Sequence, residues 1–111
     1  MTVLLVHTTL PDRKSAEDLA AALIEAKLAA CVNIGQEVTS LYHWRGRTEN
    51  ATEVPVTIKS TDGRYAQLEV AIRERHPYEL PEIVAVPVAA GLPVYLQWVA
   101  DEVGDSGTPA A

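Results

Sequence analysis

Two apolar rhythms alternate along this chain of 111 residues, and their order leaves few folds open. Apolar side chains recur first at every second position, the spacing of a strand with one buried face. They then recur at every third or fourth, the spacing of an amphipathic helix. Residues 2–8 are β-rich and run into Leu10, Pro11 and Asp12, where proline and a turn former break a strand. From 14 to 30 the stripe is Ala16, Leu19, Ala20, Leu23 and Ala26, with Glu17, Asp18 and Glu25 on other faces. Asp12 or Ser15 is available to cap the first turn of this helix.

Extended chain resumes at 31–35 and continues through a segment in which Val38, Ser40, Tyr42 and Trp44 share one side. Thr39, Leu41 and His43 take the other side. RGRTEN then supplies a reversal, and 53–59 returns with Val54, Val56 and Ile58 on a common face. This spacing predicts a β-hairpin with a turn longer than the shortest kind. Pro55, lacking an N–H, predicts an edge or a bulge in the returning strand. A second helix is expected over 64–75 on Tyr65, Leu68, Ala71 and Ile72, stopped by Pro77. A strand follows at 83–87, and Pro93 opens a last helix through Tyr95, Leu96, Val99 and Val103.

The order β-α-β-β-α-β plus a helix predicts an α+β, ferredoxin-like sandwich with the helices on one sheet face and a long hairpin between its second and third strands. One domain is expected over 1–103, with a flexible tail over 104–111. A sheet this small leaves its second face wet, yet both sides of the hairpin carry apolar groups. The hairpin edge and open face are therefore expected to meet other copies of the chain.

Charge and cysteine usage narrow the partners. Nine Lys and Arg stand against fifteen Asp and Glu, a formal net charge of −6, with no basic cluster of the density a phosphate backbone needs. No nucleic-acid partner is expected. The apolar run after Met1 is too short for a membrane span, so no membrane partner is expected either. Cys31 is the single cysteine, which excludes an internal disulfide and suits a cytoplasmic setting.

Chemistry-bearing residues are few. Cys31 can offer a soft thiolate ligand or serve as a small buried side chain. His7, His43 and His76 belong to no compact zinc pattern. His76 stands out because the stretch HPYELPE sets it beside Tyr78, Glu79 and Glu82, with Pro77 and Pro81 stiffening the corner. Such a corner can hold a divalent cation, exchange a proton, or simply cap a helix. Glu53 and Lys59 lie on the same strand face but about 20 Å apart along it, too far for a direct pair. No nucleophile elbow, phosphate-binding loop, dinucleotide fingerprint or CxxC occurs, so no organic cofactor is expected.

Taken together, KLAACVNI, SLYHWRGRTENATE, VPVTIKS, HPYELPEIVAVPV and YLQWV resemble the CutA family of divalent-cation tolerance proteins over almost all of residues 3–103. The resemblance implies a homotrimer of ferredoxin-like subunits with clefts between copies. It implies copper or another divalent cation as the ligand, with Cys31, His76, Glu79 and Glu82 as candidate donors. Tyr42, Trp44, Gly46, Glu49, Glu53, Lys59, Tyr78, Pro81 and Trp98 become candidates for the interface or cleft. Lys27 stands where the family commonly has Arg before LAAC. The expected function is metal-ion tolerance without catalysis. Two alternatives stay open: a trimeric regulatory or assembly module binding a metabolite or protein in its clefts, and a small enzyme transferring a proton through His76.

Overall fold

A computed structural model describes residues 1–105 of the chain, so most of the expected tail lies outside the described residues. Five strands and three α-helices follow the expected order: β1 (Val3–Leu10), α1 (Arg13–Glu25), β2 (Cys31–Ile34), β3 (Val38–Trp44), β4 (Arg47–Thr61), α2 (Tyr65–Arg75), β5 (Val84–Pro87) and α3 (Pro93–Glu102). A short 3-10 turn, Asp62–Arg64, leads into α2. The sheet runs β2-β4-β1-β5, with β3 also on β4, and its pairings are antiparallel. That is the ferredoxin-like order, with the predicted second strand divided into β2 and β3.

The register explains which residues make the core. Val6 faces Ile58, Thr8 faces Val56 and Leu10 faces Val54 across β1 and β4. These even positions pack with Ala16, Leu19 and Leu23 of α1 and Leu68 and Ile72 of α2. Val3 has the opposite parity and packs with Leu96 and Val99, so α3 covers one end of the second face. The remainder of that face carries two cross-strand rows. One is Val86, Leu5, Lys59 and Cys31; the other is Val84, His7, Thr57 and Asn33. Val84 and Val86 are each 50% exposed.

Three boundaries differ from expectation for identifiable reasons. The first helix ends at Glu25 rather than near residue 30. Lys27 adopts φ 58°, the Leu28 N–H reaches the Leu23 carbonyl, and the Lys27 N–H reaches that of Ile24. This is a Schellman closure with lysine in the left-handed position usually given to glycine. It turns Leu28 and Ala29 into the core instead of continuing the helix.

The hairpin turn is the shortest kind, not a long one. Trp44 pairs directly with Arg47, leaving Arg45 and Gly46 at φ 51° and 80°. Two consecutive positive φ angles mark a type I′ turn, whose twist suits the strands it joins. The polar residues 47–50 pair with Trp44, His43, Tyr42 and Leu41, so β4 extends far beyond the expected 53–59.

Pro55 lies within β4 but faces the break between β2 and β3. The Gly35 N–H donates to its carbonyl at 2.9 Å, placing that backbone edge opposite the departing chain. In an antiparallel strand a residue's N and C=O point the same way, so the missing N–H falls where no strand needs it. A Cβ on Gly35 would lie 2.9 Å from the Pro55 Cγ, which explains a glycine there.

Candidate functional site

The HPYELPE corner lies along the β3–β4 ribbon, and its geometry begins with a proline. Pro77 pushes the residue before it out of helical space, and His76 takes φ −82° and ψ 133° at the end of α2. The imidazole is thereby turned toward the end of β1. Its Nε2 lies 2.8 Å from the Thr9 carbonyl oxygen, and the Tyr78 N–H donates to Nδ1 at 3.2 Å. A carbonyl only accepts and a backbone amide only donates. The ring is therefore the neutral tautomer with its proton on Nε2. Burial pulls its pKa below the ordinary value, against the opposing hydrogen bond to Thr9 and the nearby Glu53 charge.

Glu53 occupies the root of the ribbon, buried at 8% exposure. Desolvation alone would raise its pKa. Hydrogen bonds from the Ser40, Tyr78 and Thr9 hydroxyls outweigh that, aided by His76, and hold the carboxyl below its usual range. The Thr9 hydroxyl donates at 2.9 Å. The Tyr78 phenol is pushed up to about 12 by burial and then by its hydrogen bond to the Glu53 carboxylate. Its ring packs against His76 with centroids 4.9 Å apart. Thr9 thus serves both partners, its hydroxyl on Glu53 and its carbonyl on His76. Thr9 did not stand out in the sequence, and Ser40 stood out only as the first residue of the hairpin phrase; the β1 register brings Thr9 to the ribbon root.

At the ribbon tip, Arg45 reaches Glu79 at 3.1 Å and lies 5.3 Å from the Trp44 ring centre. This contact is well exposed on both sides and contributes little stability. Tyr42 faces Glu49 across the ribbon, and Gly46 forms the turn. Pro81 is half-buried and Glu82 exposed. Trp98 belongs to a different surface, the outer side of α3, where its ring lies 5.6 Å from that of Tyr95.

Cys31 sits on the open sheet face, half-buried, opposite Lys59. The Lys59 ammonium donates to Asn33 Oδ1 at 2.7 Å and lies 3.9 Å from the Cys31 sulfur. Glu53 and Lys59 therefore serve separate neighbourhoods, as their spacing required. Among the described residues no three His, Cys, Asp or Glu side chains come together as a metal needs. The four expected donors do not fit one site in one chain. His76 has both nitrogens engaged, Glu79 faces Arg45, and Cys31 lies apart from them on the open sheet face beside Lys59. With no free lone pair, the neutral His76 is equally poorly placed as a proton-transfer catalyst.

What the fold and corner define is a small α+β domain with one open sheet face and a β-ribbon braced by a buried histidine–carboxylate network. Residues 4–102 match the family model described as CutA1 divalent ion tolerance protein. The chain is 39% identical over 99 residues to the divalent-cation tolerance protein CutA of Thermus thermophilus, covering 89% of this chain and 96% of that one. It is 42% identical over 95 residues to the CutA homolog of Xenopus laevis, covering 86% of this chain and 63% of that protein. The chain thus spans about three fifths of the vertebrate relatives' length. Among solved structures, CutA1 of the psychrotrophic bacterium Shewanella sp. SIB1 superposes with a TM-score of 0.88 at 46% identity, covering 91% of this chain and 94% of that one. This chain belongs to the CutA1 divalent ion tolerance family.

Proposed function

We propose that this chain acts as a cytoplasmic homotrimer that contributes to divalent-cation tolerance by binding metal, copper foremost, weakly and without catalysis. Family membership across residues 4–102 is the observation that carries the reading. The open sheet face, with Val84 and Val86 half exposed, and the ribbon, with Leu41 at 72% exposure, support self-association. The lone thiol suits a reducing compartment.

Because the described residues of one chain do not gather three donors, the metal site takes donors from more than one copy, and Cys31 and Glu82 are the expected donors outside the His76 network and the Arg45 ion pair. Sedimentation equilibrium on the tag-free protein is expected to give three times the 12.0 kDa chain mass. Titration with Cu2+ is expected to show saturable uptake that weakens in Cys31→Ser and Glu82→Gln and is unchanged in His76→Gln. A monomeric mass, or copper uptake that never saturates, would remove the reading.

The absence of a donor cluster among the described residues favours a second reading, a regulatory or assembly module whose intersubunit clefts take a metabolite or a protein. A trimer with no saturable metal uptake selects it.

A further inference from the structure

The His76 corner has a chemical property that metal tolerance does not use. Each ring nitrogen is committed to a backbone partner of fixed polarity: Nε2–H to the Thr9 carbonyl and the Nδ1 lone pair to the Tyr78 N–H. Protonation leaves the Thr9 contact intact, because Nε2 already donates. It converts Nδ1 from acceptor to donor, so that two N–H groups then point at each other. The Tyr78 amide is the group that must yield. We propose that His76 is an acid-sensitive latch, whose protonation at Nδ1 releases residues 78–82 from the β3–β4 ribbon.

The surroundings set how the latch behaves. Glu53 on β4 is the charged group facing His76, and it favours the imidazolium. Burial opposes it and prevails, so the neutral ring holds near neutral pH. Tyr78 packs tilted against the ring and carries the phenol that donates to Glu53; Tyr42 of β3 and Asp12 at the head of α1 act on Tyr78 in turn. Thr9 of β1 brings no ionisable group. On the same stretch of chain, Arg75 precedes His76, and Glu79 is held at the ribbon tip by Arg45. Release of Tyr78 therefore loosens the corner at both ends, at the Glu53 hydrogen bond and at the exposed Arg45 pair.

The test is a nitrogen NMR titration of the full chain from pH 8 to pH 5, with amide exchange read in parallel. At pH 8 the His76 ring is expected to show a protonated Nε2 and a bare Nδ1. As pH falls toward the His76 midpoint, protection of the Tyr78 amide, corrected for intrinsic exchange, is expected to fall about tenfold per pH unit and then to level off below the midpoint. Amides of Val56 and Ile72 are expected to hold. His76→Gln is expected to abolish the pH step at Tyr78. An Nδ1–H tautomer at pH 8, a His76 titration that leaves Tyr78 unmoved, or no His76 titration before global unfolding would each overturn the latch. So would a pH step that survives in His76→Gln, which would assign the change to another group.

Discussion

The hydroxyl of Thr9 donates to the carboxylate of Glu53 at 2.9 Å, joining the last turn-ward residues of β1 to the root of the ribbon. The two are diagonal neighbours, since Thr9 pairs with Pro55 and Glu53 lies two residues before it on the same face of β4. Ser40 and Tyr78 add their hydroxyls to the same buried carboxylate. Glu53→Ala would leave three donors without their acceptor and is expected to lower the unfolding free energy by about 2–3 kcal/mol. The pH dependence has a definite sign. A carboxyl whose pKa is lowered by folding stabilises the protein above its unfolded value of 4.5 and loses that contribution as pH falls through the folded value. Wild-type stability should therefore decline in acid below about pH 4.5, and the decline should be shallower in Glu53→Gln. Urea midpoints at fixed chain concentration measure both.

The phenol of Tyr78 works in the opposite pH direction. Folding raises its pKa from 10.0 to about 12, so the folded state holds a proton that the unfolded chain gives up. Its contribution is complete below pH 10 and is lost as pH rises toward 12. In Tyr78→Phe this alkaline decline should be smaller, and phenolate absorbance should lose its latest-titrating component. A wild-type phenolate transition with every tyrosine ionising near pH 10 would contradict the buried Tyr78–Glu53 contact.

Gly46 isolates a backbone effect. Its φ is 80°, yet a Cβ there would meet nothing within 4 Å. Gly46→Ala should therefore cost about 1–2 kcal/mol through left-handed strain alone, without a steric clash. Thermal unfolding measures the loss, and Gly46→Asn should recover part of it, because asparagine tolerates that conformation better than alanine.

How far the sequence could be read depended on which contacts were local. The stripe of Leu68 and Ile72, the Asp12 cap and the Pro93 helix start are short-range signals, and the structure carries all three. Arg45 and Lys27 misled because non-glycine residues at positive φ carry no composition signal. The HPYELPE corner was visible as an unusual phrase, but its meaning was not. Thr9 lies 67 residues from His76 in the chain and touches it only through the β1–β4 register. An imidazole beside two glutamates has the composition of a ligand set. The structure shows that backbone groups claim both ring nitrogens first.

Thr8 offers a gain rather than a loss. It lies on the covered sheet face across from Val56, in the row between those of Val6 and Leu10, and is 1% exposed. Its Oγ1 has no hydrogen-bond partner among the described residues. Folding strips water from that hydroxyl and returns nothing, at a cost of about 1–3 kcal/mol. Valine has nearly the same shape and prefers a strand, so Thr8→Val should keep the packing and remove the penalty. We expect stability to rise by about 1 kcal/mol, seen as a higher urea midpoint with an unchanged slope. Thr61→Val provides an independent trial, because its buried hydroxyl is also unpartnered, at the other end of the β1–β4 pairing. A loss of stability in both variants would mean that ordered water satisfies these hydroxyls inside the sheet.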